Sequence, residues 1–411
     1  MKIFNRKLKI TSSALLTLCM VFVMTACAEN SSQSEKSQPA EQTTVQPTTM
    51  SAEEINDRKL DKFISDMTLE EKVGQMFFVR CPDEGAVQQV SEYNIGGYIL
   101  FGRDFDGKTK DEVVDDIHSY QNEADIPLLI GVDEEGGTVV RVSSNPNLRE
   151  TPFLSPKDTY ADGGWDAVKQ DAEEKADLLL SLGINVNLAP VCDMTSDEYA
   201  FMYDRSFSSD VDMENRYVRT VVETSKSKKL GTVLKHFPGY GNNSDTHTGI
   251  AYDDRDYSEF ENTDFKPFYQ GIESGADCIL VSHNIVNCMD SEYPASLSQK
   301  VHDILRNEFK FDGVIMTDDL IMDAITDFTG DEAAAVTAAK CGNDLLCCSS
   351  VDTQYPAVLE AVQNGEISEA QVDASVKRIL KWKQNLGIFN IDTYQKKVKS
   401  TEPTDTVESE E

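Results

Sequence analysis

Eight short apolar or β-branched runs, separated by stretches of helical length, constrain the fold of this chain more than any other feature. The runs are Met76–Val79, Gly97–Phe101, Leu128–Val132, Ile184–Pro190, Val233–Lys235, Cys278–Ser282, Val314–Thr317 and Asp344–Cys347. Each run is nearly continuous in hydrophobicity, which is typical of parallel strands that are buried on both faces. Eight such strands alternating with helices predict a single (β/α)8 barrel, and a doubly wound open sheet is the structural alternative.

Amphipathic segments before, between and after the runs supply the helices of the predicted barrel. These segments are Ala52–Asp66, Lys108–Glu123, Trp165–Leu182, Met213–Lys228, Thr263–Ser274, Gln299–Phe309, Glu332–Lys340, Thr353–Asn364 and Ser368–Leu386. Gly183, Gly231 and Gly342 follow three of them, where a left-handed C-cap is favoured. The last two segments are predicted to close the barrel, so no second domain of normal size is expected.

Residues 1–27 carry the pattern of a bacterial export signal. Basic residues such as Lys2 and Arg6 precede an apolar run from Ala14 to Val23, which is too short to span a bilayer as a stable helix. Small residues then precede Cys27, as in a lipobox, which predicts cleavage before this cysteine and lipidation of its thiol. The alternative is a plain secretory signal with a cysteine there by chance.

The predicted barrel domain spans 51–395 and is flanked by polar sequence. Residues 28–50 are rich in Ser, Gln, Glu, Thr and Pro, which predicts a disordered linker that holds the domain away from the membrane. Residues 396–411 end in Glu-Ser-Glu-Glu and are predicted to form a disordered acidic tail.

The net charge argues against a nucleic-acid partner, and the cysteine spacing argues against a disulfide framework or a zinc site. The formal net charge of −34 argues against nucleic acid as a partner, because binding phosphates requires clustered Lys and Arg. The cysteines after Cys27 have no CxxC spacing and mostly lie in apolar stretches, so they are interpreted as small core residues. Neither a disulfide framework nor a zinc site is expected.

Titratable side chains end or follow several of the apolar runs, where a parallel barrel builds its site. They are Asp133, Arg141, Asp204, Arg205, Lys235, His236, Asp245, His247, His283, Asp318 and Asp319. Carboxylates, Lys, Arg and His without metal-ligand spacing favour a polyhydroxylated ligand. Asp133 and Lys235 can share neighbouring hydroxyls of such a ligand, and an arginine can donate in a fork.

Asp318 is the candidate nucleophile for hydrolysis of a glycosidic bond with retention, which requires a carboxylate nucleophile and a proton donor. It shares strand parity with Val314 and Met316 and lies at the end of their run. A helix cap or an ion-pair partner is the alternative role. Asp319 is interpreted as the N-cap of a helix that starts at Leu320.

His247 is the candidate proton donor. An imidazole titrates near neutrality, and Asp245, two residues away, can orient and charge it. The alternative is a solvated histidine in a polar loop.

These residues resemble glycoside hydrolase family 3, and specifically its β-N-acetylglucosaminidase branch, over roughly 66–386. The family's motif Lys-His-Phe-Pro-Gly-His-Gly, followed by Asp-Ser-His, is similar to Lys235–Gly241 followed by Asp245–His247. Its other motifs Asp-Gln-Glu-Gly-Gly and Arg-Ser-Phe, and its nucleophile region, are similar to Asp133–Gly137, Arg205–Phe207, Pro294–Ser298 and Gly313–Leu320.

The resemblance implies a role for each candidate residue. Asp318 would attack the anomeric carbon, and His247, paired with Asp245, would act first as acid and then as base. N-acetylglucosamine in the −1 subsite would be bound by Asp133, Arg141, Arg205, Lys235 and His236. Related members that cleave plain glucosides usually take a glutamate acid from a second domain, so the expected single domain favours the histidine. No metal or organic cofactor is implied.

The chain departs from the family's pattern at three points. Tyr240 replaces the usual His, Thr138 replaces the Arg that follows the two glycines, and the loop from Lys235 to His247 is one residue shorter.

The sequence therefore predicts an exported, lipid-anchored, retaining exo-β-N-acetylglucosaminidase that forms a covalent glycosyl-aspartate. Its expected substrates are terminal β-linked N-acetylglucosamine in cell-wall (muropeptide) fragments or related amino-sugar oligomers. The alternatives are a β-glucosidase or xylosidase of the same family, an N-acetylglucosaminide phosphorylase, and a non-catalytic sugar-binding lipoprotein.

Overall fold

The computed structural model describes residues 50–243, 245–246 and 249–396, and only the backbone of Asp331 and Glu332. The predicted signal with Cys27, most of the linker, His247 and the tail beyond residue 396 lie outside the described residues. The domain boundaries proposed for those segments stay predictions. Within the described ranges, no helix combines the length and apolar character needed to cross a membrane.

Eight parallel strands form the central sheet. They are β1 Phe77–Arg80, β2 Gly97–Leu100, β3 Leu129–Val132, β4 Val186–Asn187, β5 Gly231–Phe237, β7 Cys278–Val281, β9 Val314–Thr317 and β10 Leu346–Cys348. The strands pair in chain order, β10 also pairs with β1, and a parallel bridge between Met316 and Leu345 closes the ring. All eight predicted runs contribute a strand, so the (β/α)8 barrel is confirmed and the open sheet is wrong.

Two short strands lie outside the barrel. β6 (Tyr252–Asp253) and β8 (Ile285–Val286) pair in parallel and join the loops that follow β5 and β7. The sequence analysis did not predict this small sheet, because each strand has only two residues.

Helices surround the barrel. They are α1 Ala52–Ser65, α2 Leu69–Gln75, α3 Ala86–Tyr93, α4 Gly102–Phe105, α5 Lys110–Glu123, α6 Pro156–Ser181, α7 Val211–Lys228, α8 Tyr257–Asn262, α9 Phe265–Ser274, α10 Gln299–Asp303, α11 Asp323–Thr329, α12 Asp331–Lys340, α13 Val351–Gln363 and α14 Glu369–Asn385. α1, α2 and α5 begin at capping boxes, in which a Ser or Thr side chain and a Glu three residues later satisfy otherwise unpaired N–H groups.

The prediction that Gly231 caps α7 is wrong, whereas Gly183 and Gly342 do adopt positive φ, at 91° and 110°. Lys229 takes the left-handed C-cap of α7, with φ 64°, and Gly231 is the first residue of β5. A Cβ on Gly231 would lie 3.1 Å from the side chain of Trp382, so this glycine serves close packing instead.

The barrel interior is filled by one apolar cluster. Its members are Phe78, Ile99, Leu129, Val186, Leu188, Val233, Cys278, Leu280, Val314, Met316, Leu345, Cys347, Ile379, Trp382 and Leu386. Ile379 and Trp382 lie in α14 and Leu386 directly follows it. These three residues close the barrel at the end where the strands begin, because Trp382 touches the first residue of β5. The opposite end, where the strands finish, is therefore the place for a site.

Candidate active site

A cavity of about 450 Å³ opens at the C-terminal ends of the barrel strands. Its lining includes every described residue to which the sequence analysis gave a catalytic or sugar-binding role: Asp133, Arg141, Arg205, Lys235, His236, Asp245 and Asp318. A smaller cavity of about 230 Å³ near α1 is lined mainly by apolar side chains such as Phe63 and Met67. The 450 Å³ cavity is the candidate active site because the residues with predicted catalytic and sugar-binding roles line it.

A buried ion network joins β3, β5 and the loop after β4 at this cavity. The Lys235 ammonium lies 2.7 Å from Asp133 Oδ1 and 2.6 Å from Glu135 Oε1. Arg205 grips Glu135 with two donors, Nη2 at 2.7 Å and Nε at 2.9 Å. The side chains of Lys235 and Glu135 are each 3% exposed, so the charges of this network depend on one another.

The network fixes the ionisation of its members. Burial alone would raise the pKa of Glu135, but the charges of Arg205 and Lys235 overcome this effect and hold the pKa well below its ordinary value. Burial likewise disfavours the Lys235 ammonium, but the carboxylates of Asp133 and Glu135 raise its pKa above the ordinary value. Both groups are therefore charged near neutral pH.

His236 is held in a defined orientation by contacts at both of its ring nitrogens. Its Nε2 lies 3.2 Å from Arg205 Nη2, and its Nδ1 lies 2.7 Å from Asp193 Oδ2. Because a guanidinium can only donate, Nε2 is the acceptor, and the proton sits on Nδ1 and is donated to Asp193. Asp193 also accepts the backbone N–H of His236 at 3.1 Å and that of Tyr240 at 2.7 Å.

Glu135 and Asp193 are the two principal site residues that the sequence analysis did not assign. Asp193 closely follows the fourth apolar run, so the rule that found Asp133 and Asp318 would also have found it. Glu135 belongs to the quoted motif, but only the structure shows that it pairs with Arg205 and Lys235.

The loop after β3 is shaped by a second glutamate. Glu134 is fully buried and accepts the backbone N–H of Arg141 at 2.9 Å and that of Val142 at 2.7 Å, and also the Ser143 hydroxyl. The chain doubles back through Gly136, where φ is 104° and a Cβ would lie 2.2 Å from the Leu154 carbonyl oxygen. The hydrogen bonds to Glu134 and the turn at Gly136 together place Arg141 in the cavity wall.

Arg80 contacts the same aromatic ring as Arg141. The Arg141 guanidinium carbon is 5.8 Å from the centroid of the Phe101 ring, and that of Arg80 is 4.5 Å from the same centroid. Arg80 is the last residue of β1, and the sequence analysis ended that run one residue earlier and did not assign it.

Asp318 directly follows β9 and lines the cavity. Its backbone N–H donates to the Val281 carbonyl at 3.3 Å, and its Oδ1 accepts the Asp319 N–H at 2.9 Å. Val314 and Met316 lie in the apolar interior cluster beneath it, as the predicted parity requires. The candidate nucleophile therefore stands on a rigid strand end.

The interpretation of Asp319 as a helix N-cap is wrong. The chain makes a turn after β9, so α11 begins only at Asp323, with Met322 as its N-cap residue. The Asp319 carboxylate instead accepts the Ile321 N–H at 3.2 Å and the Ser349 hydroxyl. Burial raises its pKa.

His283 contacts the backbone of Asp319, next to the candidate nucleophile, but does not belong to the described cavity lining. Its Nε2 donates to the Asp319 carbonyl at 3.0 Å, so its Nδ1 accepts the Ser296 hydroxyl at 2.7 Å. The sequence analysis grouped it with the titratable side chains at the strand ends without giving it a role, and the structure shows a buried histidine that contacts the backbone of Asp319.

Several known proteins are similar to this chain in sequence. The sequence model of the Glycosyl hydrolase family 3 N terminal domain matches residues 68–382. A protein of Hydrogenovibrio crunogenus named beta-hexosaminidase is 31% identical over 286 residues, which cover 68% of this chain and 79% of that protein. One of Nitrosomonas eutropha with the same name is 32% identical over 273 residues, which cover 64% of this chain and 77% of that protein.

Two solved structures share the fold. A glycoside hydrolase family 3 beta-N-acetylglucosaminidase from Paenibacillus sp. str. FPU-7 superposes with a TM-score of 0.74 and 29% identity, over 83% of this chain and 66% of that one. The M tuberculosis protein LpqI gives a TM-score of 0.71 and 27% identity, over 79% of this chain and 96% of that one. This chain thus spans just under two thirds of the Paenibacillus protein.

The ion network makes a testable contribution to stability. Glu135→Gln leaves two buried cations short of a counter-charge and is expected to lower the free energy of unfolding by about 3 kcal/mol near neutral pH. Urea denaturation followed by circular dichroism measures this loss. The exposed substitution Glu360→Gln in α13 is the matched control and should change stability by less than about 0.5 kcal/mol.

The pH dependence of that loss follows from the lowered pKa of Glu135. Its stabilising contribution is present in full above the unfolded-state pKa of about 4.3 and is lost as the pH falls through the lower folded-state value. The difference between wild type and variant should therefore be constant from about pH 7 to about pH 5 and shrink as the pH falls below about 4.3. A difference that grows on acidification would contradict the assignment.

Proposed function

This chain belongs to glycosyl hydrolase family 3, and on that premise we propose that it is a retaining exo-β-N-acetylglucosaminidase. The observation that carries the proposal is the single cavity in which Asp318 stands on a strand end beside the ion network and Asp245. The names of the related proteins, beta-hexosaminidase and beta-N-acetylglucosaminidase, support the same substrate class.

Sugar recognition rests on the ion network. Asp133 is its most accessible member, with 14% of the side chain exposed, whereas Lys235 is 3% exposed. A carboxylate beside an ammonium offers an acceptor and a donor to neighbouring hydroxyls of one sugar ring. Because Asp133 and Lys235 hold each other in place, their positions are set before the sugar binds. A ligand without the matching hydroxyls would not satisfy their remaining hydrogen-bonding capacity and is expected to bind more weakly.

The bond-breaking step uses Asp318 as the nucleophile. Its carboxylate attacks the anomeric carbon, the glycosidic bond breaks, and the leaving oxygen takes a proton from His247. The product of this step is a glycosyl ester of Asp318. Water then attacks the same carbon and gives its proton to His247, which returns the carboxylate and the imidazolium to their starting states.

The acid role of His247 is supported by Asp245, since His247 itself lies outside the described residues. Asp245 lines the same cavity as Asp318 and is two residues from His247 in sequence. A carboxylate next to an imidazole stabilises the imidazolium form, which is the form that donates the proton.

We further propose that the protein is exported and lipid-anchored through Cys27, and that it acts on muropeptides or related amino-sugar oligomers. The signal-like residues 1–27 support the export and the anchor. An exported position gives access to cell-wall fragments, which carry terminal N-acetylglucosamine.

Substrate preference tests the proposed activity. The protein is expected to hydrolyse a nitrophenyl N-acetyl-β-glucosaminide with a kcat/KM about tenfold or more above that for the matching glucoside, because only the former offers the acetamido group. A clear preference for the glucoside would replace this proposal with a β-glucosidase. Assays with and without phosphate distinguish hydrolysis from phosphorolysis.

The nucleophile is tested by substitution and trapping. Asp318→Ala should lower kcat by more than about a thousandfold, whereas Asp319→Asn, the neighbouring carboxylate outside the described cavity lining, should retain most of the turnover. A fluorinated amino sugar that traps the covalent intermediate should label the peptide 313–320. Turnover by Asp318→Ala at the wild-type rate, or a label elsewhere in the chain, would refute the assignment.

The acid role is tested by the leaving group. His247→Ala should lower kcat about a hundredfold on an alkyl glycoside but far less on a nitrophenyl glycoside, whose leaving group needs no proton. Steady-state kinetics with both substrates measure the ratio. His118→Ala, a substitution in α5 outside the described cavity lining, is the control. Equal losses on the two substrates would count against the acid role.

Lipidation is tested in bacterial cells that express the full chain. An alkyne fatty acid should label the wild-type protein, and Cys27→Ser should abolish the label and move the protein out of the membrane fraction. Labelling that survives the substitution would show that Cys27 is not the anchor.

A further inference from the structure

Tyr240 is fixed to the rigid part of the site. It is 2% exposed, and its ring packs with Val191, Met202 and Phe201 in a small apolar cluster. Its backbone N–H donates to Asp193 at 2.7 Å, and its ring centroid lies 5.4 Å from that of His236. The tyrosine is therefore anchored to the same carboxylate that orients His236.

The phenol hydroxyl of Tyr240 reaches the loop that carries the proposed acid. It forms a hydrogen bond with the hydroxyl of Thr246, which is fully buried. Thr246 stands between Asp245 and His247 in the sequence. The hydrogen bond therefore holds the residue to which both members of the proposed acid/base pair are attached.

Two further hydrogen bonds hold the beginning of this loop. The Thr195 hydroxyl donates to Asn242 Oδ1 at 2.6 Å, and Asn243 Nδ2 donates to Asp253 Oδ2 at 2.7 Å. They fix residues next to the turn after β5, whereas the Tyr240 hydroxyl fixes a residue next to the proposed chemistry. The hydrogen bond between Tyr240 and Thr246 is therefore expected to affect catalysis more directly than the hydrogen bonds of Asn242 and Asn243.

We propose that Tyr240 is a positioning residue for the acid/base loop. Its hydroxyl holds Thr246, and thereby the backbone that carries Asp245, at the wall of the cavity. Tyr240 acts through Thr246 and takes no proton from the substrate. This inference rests on the proposed function, because it concerns the proton-transfer step of that reaction.

The test compares Tyr240→Phe and Thr246→Val, each of which removes one hydroxyl of the pair. Each should lower kcat about tenfold on an alkyl N-acetylglucosaminide and by less than about threefold on the nitrophenyl substrate, with KM nearly unchanged. The double variant should be no slower than the slower single variant, because both substitutions remove the same hydrogen bond. Thr246→Ser, which keeps the hydroxyl, should restore the alkyl-glycoside rate.

The matched control is Tyr98→Phe. This tyrosine is also buried and donates its hydroxyl to the Ala86 carbonyl at 2.7 Å, but it does not belong to the described cavity lining. Its substitution should leave the kcat ratio between the two substrates at the wild-type value. Circular dichroism and the thermal midpoint of each variant verify that it is folded.

The outcomes separate this inference from the function on which it rests. Equal losses on both substrates, additive losses in the double variant, wild-type rates in the single variants, or a Thr246→Ser variant as slow as Thr246→Val would each overturn the positioning role and leave the proposed function intact. A wild-type protein that hydrolyses neither N-acetylglucosaminide would overturn the proposed function and the inference together.

Discussion

The buried contact of Lys235 with Asp133 and Glu135 is the interaction on which the rest of the site depends. An ammonium that is 3% exposed is tolerated only because two carboxylates lie within 2.7 Å of it. Glu135 in turn needs Arg205, and Arg205 contacts the imidazole of His236. One charge requirement thus ties together β3, the loop after β4 and the end of β5.

Most of the fold could be predicted from the sequence because buried parallel strands are apolar along their whole length. The eight runs were visible for that reason, and the parity of Val314, Met316 and Asp318 followed from the pleat of a strand. Gly231 was misinterpreted because a tertiary contact, the packing of Trp382 against the start of β5, decides its role. Asp319 was misinterpreted because its partner Ser349 belongs to another loop, after β10. Local pattern predicts local structure, and both errors arose where a distant element determined the outcome.

The sequence predicted which residues lie at the site, but not which of their side chains pair with one another. A residue that follows a barrel strand must lie at the same end as the other residues that do so, which was enough to bring Asp133, Lys235 and Asp318 together. The pairing of Glu135 with Arg205 depends on how two loops meet, and the tautomer of His236 depends on both of its neighbours. The proposed mechanism uses this division, with the nucleophile on a strand end and the acid on a loop that other side chains hold in place.

The excess of carboxylates in the cavity wall favours a bound molecule that carries positive charge. The described lining carries five carboxylates against three cations: Asp133, Glu135, Asp204, Asp245 and Asp318 against Arg141, Arg205 and Lys235. A neutral sugar gains little from this excess while it is intact. As the glycosidic bond stretches, the ring acquires the character of an oxocarbenium cation, and a cavity whose negative groups are already fixed in place favours that distribution of charge over the ground state.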